Sequence, residues 1–103
     1  MKNISDAIVS TNINGGFLSI YRYNSPIIPF MSISIKNITH IQTITSFEYL
    51  KKHSVVFYLD NQTKEVIHFP FEYNLGKEVY NWKPEVEEKI ELMIKQVGSE
   101  LLK

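Results

Sequence analysis

The charged residues of this chain are crowded into its second half. Residues 1–47 hold only Lys2, Asp6, Arg22 and Lys36 among dense Ile, Ser, Thr and Asn, and the remaining charges fall in residues 48–103, which close in an amphipathic run. A chain that spends its first three-quarters on β-branched and aromatic residues must bury one face of a sheet, and residues 84–102 are the strongly helical stretch available to cover it. The pattern predicts an α+β domain. It comprises an antiparallel, rolled sheet of five to seven strands over about residues 4–71, a linker at 72–83, and a C-terminal helix at 84–102.

At 103 residues the chain is expected to form one domain with one core. It has no cysteine, which excludes disulfides, thiolate zinc and cysteine nucleophiles and favours a cytoplasmic setting. Polar residues interrupt every Ile cluster, so no run approaches the roughly 18 apolar residues of a membrane span, and the N-terminus does not read as a signal peptide. Eleven basic side chains balance eleven acidic ones, and only Arg22 among the basic ones is arginine. Neutrality and scarce arginine disfavour a dedicated duplex-DNA binder. The Lys, Ile and Asn bias is that of an AT-rich genome, bacterial or phage.

Asn14-Gly15 is a strong hairpin signal, because both residues tolerate the positive φ of a type I′ turn. A two-residue loop there sets Val9 opposite Ile20 and Thr11 opposite Leu18 on the core face, leaving Phe17, Tyr21 and Tyr23 on the other. The prolines of Ser25-Pro26-Ile27-Ile28-Pro29 exclude a central strand. Phe30 to Lys36 alternates as a half-buried strand. The spacing of three in Ile35, Ile38, Ile41 and Ile44 then reads as a break at Asn37 followed by a strand over 38–45. A second hairpin joins 55–59 to 65–71. A loop of three or five residues is expected, since that parity puts Val55, Phe57, Ile67 and Phe69 on one face. The segment from Tyr73 to Trp82 reads as a linker around Gly76, with room for a short strand at 78–82.

Pro84 suits a first helical position. Val86, Ile90, Met93, Val97 and Leu101, widened by Ile94, form the expected buried stripe, and Gly98 marks fraying or an early end. Burying five such side chains at roughly 1.5–3 kcal/mol each outweighs the i,i+4 pairs Glu85–Lys89 and Glu91–Lys95, worth about 0.2–0.5 kcal/mol each.

Candidate chemistry is sparse. His40, His53 and His68 lack the spacing of zinc ligands, although His40 and His68 could meet across a sheet, so no metal and no cofactor is expected. The acids cluster at the helix start, where the macrodipole alone explains them, and no nucleophile elbow or phosphate loop is present. No catalytic residue is assigned. The better lead is apolar: Phe17, Tyr21 and Tyr23 around Arg22, together with Ile27 and Ile28 between two prolines, read as a partner-binding surface.

The order of elements, antiparallel strands followed by one C-terminal helix, resembles that of bacterial pleckstrin-homology-like domains. The segment Ile33-Ser34-Ile35-Lys36-Asn37-Ile38-Thr39-His40-Ile41 is similar to their strand-turn-strand pattern, and the likeness spans about residues 17–97. It implies a rolled sheet closed by a helix. The loop Asn14-Gly15-Gly16 carries none of the Lys and Arg with which lipid-binding members grip phosphoinositide head groups, so lipid binding is not implied. The expected function is a non-catalytic protein-interaction module of a bacterium or phage, binding a protein partner or itself through a sheet edge or an aromatic face. The alternative is single-stranded nucleic-acid binding through the aromatic sheet face.

Overall fold

The computed structural model describes residues 9–22, 27–47 and 51–103, with the side chains of Val9, Arg22, Tyr73, Asn74, Leu75 and Tyr80 outside the description. Strands β1 (Val9–Asn14) and β2 (Phe17–Arg22) form the first hairpin, and β3 (Met31–Ser34) pairs antiparallel with β2. Its turn is centred on Gly15-Gly16, with φ of 61° and 81°, so Asn14 faces Phe17 and Thr11 faces Ile20. The expected turn at Asn14-Gly15 is thus displaced by one residue. Moving a two-residue turn by one position slides the register by two, which returns every side chain to the same face. Leu18 and Ile20 are accordingly buried, while Phe17 lies on the outer side.

A 3-10 turn at Ile35–Asn37 leads into β4 (Ile38–Ser46), which pairs with β5 (Lys52–Leu59), which pairs in turn with β6 (Lys64–Pro70). The turn and a register shift between Ile38 and His40 explain the isoleucine spacing of three. Three residues per 3-10 turn bring both Ile35 and Ile38 inward, and the extra residue at Thr39 lets Ile41 point inward as well. Ordinary alternation then resumes, leaving Ile44 outside and 47% exposed.

Four residues separate the ends of β5 and β6, and a hydrogen bond of 2.9 Å from the Leu59 N–H to the Thr63 carbonyl closes the three residues Asp60 to Gln62, which keeps the expected odd parity. Gln62 adopts φ of 67°, the left-handed position that follows a tight turn in loops of this length. Val55 faces Ile67, and Val55, Phe57, Ile67 and Phe69 are all buried. The stretch read as a linker with a short strand at 78–82 is a third hairpin, β7 (Glu72–Leu75) and β8 (Glu78–Asn81), turning at Gly76 with φ of 65°. The Phe71 N–H donates to the Lys51 carbonyl at 3.0 Å and the Trp82 N–H to the Phe71 carbonyl at 2.6 Å, so both ends of that hairpin are tied to its base.

The class is α+β with one C-terminal helix. The described strands do not make the expected single rolled sheet: their ladders form two three-stranded antiparallel sheets, β1-β2-β3 and β4-β5-β6, beside the β7–β8 hairpin. The 3-10 turn separates β3 from β4 along the chain, and a backbone hydrogen bond of 2.9 Å from the Asp60 N–H to the Asn37 carbonyl joins that turn to the β5–β6 loop.

Helix α1 (Lys83–Leu101) packs on the shared core through Val86, Ile90, Met93 and Val97, with Ile94 partly buried beside them. Leu101, expected in the stripe, is 44% exposed, because the helix runs past the edge of the core in its last turn. Gly98 lies inside the helix and does not end it. Asn81 Oδ1 accepts from the Lys83 N–H at 3.0 Å, which satisfies one of the free donors at the helix start. The i,i+4 pair that closes is Lys83–Glu87 at 3.0 Å; neither expected pair, Glu85–Lys89 or Glu91–Lys95, forms an ion pair. Four buried side chains at about 1.5–3 kcal/mol each still dominate the docking of α1.

Candidate functional site

Three surfaces merit comparison: the aromatic face, a strand edge, and a cleft beneath the helix. On β2, Phe17 and Tyr21 share the outer face with Ser19 between them, roughly 13 Å apart at the rise of a strand. Their cross-strand neighbours are small and polar: Asn14 and Ser34 beside Phe17, Ser10 beside Tyr21. Ser19 and Ser32 hydroxyls lie 3.2 Å apart between the two rings. The two aromatics therefore stand as separate spots instead of a continuous platform. Arg22 ends β2 opposite Val9, but its side chain is outside the description, and Tyr23 lies outside the described residues altogether. Ile27 and Ile28 are 87% and 72% exposed, as their position between prolines predicts. Phe30, absent from the sequence-based set, is also exposed, and its N–H donates to the Ile20 carbonyl at 3.0 Å.

The second surface is the free side of β4. Among the described residues β5 is the only strand paired with it, and its nine residues include no charge and no proline. Other exposed edges carry protection: β6 has Lys64, Glu65 and Pro70, β3 is four residues long and follows Pro29, and β1 packs beside α1. Residues 39, 40 and 42–45 of β4 are exposed.

The third surface begins at that same edge. Along β4 the inward positions after Ile41 are Thr43 and Thr45, and in β5 the inward face of Val55 and Phe57 continues to His53. With Glu87, Ile90, Glu91 and Ile94 of α1 they line a cleft of about 240 Å³. His53 is 6% exposed and lies 4.7 Å, ring to ring, from Phe71. Its Nδ1 shares a 2.9 Å hydrogen bond with the Thr45 hydroxyl. Its Nε2 is buried without a hydrogen-bond partner, 3.7 Å from a Glu87 carboxylate oxygen. Burial lowers the imidazole's pKa below its ordinary value; Glu87 opposes this and Lys83 adds to it. His53 is therefore neutral at neutral pH.

Thr45, His53 and Glu87 have the composition of a hydroxyl–imidazole–acid relay. The last gap is too long for a hydrogen bond, and Thr45 lies in the extended backbone near the end of β4 instead of on the sharp turn that presents a nucleophile. The other histidines stand apart. His40 is tilted against Tyr58 at 5.6 Å, and His68 Nδ1 shares a 2.9 Å hydrogen bond with Ser54, so the two occupy different cross-strand rows and do not meet. Burial and Lys52 lower the His68 pKa. Among the described residues no group of three or more His, Asp or Glu side chains converges as a metal site would require. Nor is any helix among them long and apolar enough to cross a membrane.

Sequence reasoning missed the cleft because its parts lie far apart in the chain. The available signal was polar residues at inward positions: Thr43, Thr45 and His53 interrupt faces otherwise built from Ile, Val and Phe. No protein-family model matches the chain, and neither does any curated protein or solved structure.

Proposed function

We propose that this chain is a non-catalytic protein-interaction module that binds its partner by strand addition at the free edge of β4. The observation that carries the reading is the nine-residue strand Ile38–Ser46, uncharged, free of proline and paired on one side only among the described residues. An edge of that kind offers a row of backbone donors and acceptors with no charge or proline to discourage a further strand. Ile44, exposed beside Gln42 on the outer face, adds apolar contact next to the incoming chain. The exposed Ile27 and Ile28 extend the apolar surface elsewhere on the domain. The succession of antiparallel sheets and a closing C-terminal helix is also the order of elements in pleckstrin-homology-like domains, and membership of that group is part of the proposal.

A photo-crosslinking amino acid at position 42 or 44 tests it against the same probe at position 65 on β6. In cells, the β4 positions are expected to give a discrete adduct and position 65 none, and the adduct mass distinguishes a second 12.0 kDa copy from another protein. Adducts that do not depend on position, or none from β4, overturn the reading.

A further inference from the structure

The edge and the cleft adjoin one another. Thr43 and Thr45 belong both to β4, which is paired on one side only among the described residues, and to the wall of the cleft, whose opposite wall is the flank of α1 bearing Glu87, Glu91 and Ile94. A strand added to β4 runs about 4.8 Å from it, and every second side chain points to the same side of the sheet as Thr43 and Thr45. Such a side chain enters the space beneath α1. The two carboxylates and the threonine hydroxyls favour a cation there, His53 Nε2 on the same wall is a buried polar atom without a hydrogen-bond partner, and Ile90 and Ile94 favour a hydrocarbon stem. A lysine or arginine combines these features.

An ammonium already occupies one side of this arrangement. Lys83 Nζ lies 3.0 Å from Glu87 and 5.9 Å from the Phe71 ring centroid, whereas Glu91 makes no ion pair among the described residues. Strand β4 contributes no charge that would oppose a basic segment.

We propose that the β4 edge and the adjoining cleft together bind an extended basic segment of a partner protein: its main chain pairs with β4, and a lysine or arginine level with Thr43–Thr45 enters the cleft toward Glu91, Glu87 and His53. This rests on the strand-addition reading and adds the partner's chemistry. Backbone pairing supplies affinity common to all strands, and the cleft supplies the choice among them.

The test uses the full chain and three labelled nine-residue peptides of alternating Thr and Val that differ only in a central Lys, Glu or Leu. Fluorescence anisotropy is expected to show the Lys peptide binding about tenfold more tightly than the Glu peptide, with the advantage shrinking as salt rises. In the double variant Glu87→Gln/Glu91→Gln the preference falls to within about twofold, with affinity for the Leu peptide retained. The His53 ring proton resonances should move on addition of the Lys peptide and stay in place with the Leu peptide. Equal binding of all three peptides, with β4 resonances shifting, overturns the basic specificity and leaves strand addition intact. Absence of binding by any peptide, or a β4-linked homodimer that excludes them, overturns the inference outright, while position-specific crosslinking from β4 still decides the strand-addition reading separately.

Discussion

His53 Nε2 and the Glu87 carboxylate face each other across 3.7 Å at the junction of β5 and α1, near enough for their charges to interact and too far for a hydrogen bond. Burial sets the balance, holding the His53 pKa below its ordinary value of 6.5 despite Glu87. The unfolded chain therefore binds more protons than the folded one between the folded pKa and 6.5. Stability must fall as pH drops through 6.5 and level off beneath the folded pKa. His68, also lowered, contributes in the same direction. Thermal denaturation followed by circular dichroism is expected to show this acid-side loss. Glu87→Gln should deepen it, because the carboxylate that raises the His53 pKa is removed. A His53 titration midpoint above 6.5 by NMR would contradict the assignment.

Glu72 gives a separate limb at lower pH. Lys51, 2.6 Å away, and the Asn81 amide, donating at 2.7 Å, hold its pKa below the ordinary carboxylate value. A lowered carboxylate stabilises the fold at neutral pH and loses that contribution as pH falls through its folded pKa. The link joins the start of β5 to both strands of the β7–β8 hairpin. In Glu72→Gln, the protection factors of amides in β7 and β8 are expected to fall at neutral pH and to lose the acid-side decline that the parent shows. Unchanged protection would mean that the hairpin is held by its backbone bonds to Lys51 and Phe71 alone.

Positions on α1 differ sharply in what they hold. Met93 is buried in the core, whereas Leu101 emerges from it one turn after Val97. Met93→Ala should cost about 2–5 kcal/mol, and Leu101→Ala should stay within about 0.5 kcal/mol. Urea denaturation of the two variants measures the difference directly. Comparable losses would place the end of the helix in the core and contradict the packing described.

Much of this packing is legible from side-chain parity. The faces of β1, β2, β5 and β6 follow from alternation, and even the misplaced first turn left them intact because register moved by two. The helix stripe was readable up to Val97 for the same reason, since periodicity reports which face is apolar. Where the core ends is a tertiary matter, and Leu101 carries no sequence mark of it. In residues 72–81 a short strand near the end was readable but its partner β7 was not, because alternation is broken there and Gly76 reads equally well as a loop. The split of the sheet at Ile35–Asn37 depends on a local 3-10 geometry that isoleucine spacing hints at without specifying. The candidate site was least readable of all. It is assembled from Thr43, Thr45, His53, Glu87 and Glu91, and no local pattern brings those residues together.

Glycine substitutions separate conformational need from mere tolerance. Gly15 and Gly16 both sit at positive φ in the first turn, and no atom outside the turn lies within 4 Å of a Cβ added to either. Any penalty at these positions is therefore a backbone penalty, about 1–2 kcal/mol for Ala at either one, and asparagine should be better tolerated because its side chain can bond locally in the left-handed region. Gly98 has equally open surroundings but lies in helical backbone. There an added methyl meets nothing, and the gain in helix propensity should make Gly98→Ala more stable by about 0.5–1 kcal/mol. Melting temperatures of Gly16→Ala, Gly16→Asn and Gly98→Ala should therefore fall below, near and above the parent. If Gly98→Ala also melts lower, α1 does not continue through residue 98 and the exposure of Leu101 needs another cause.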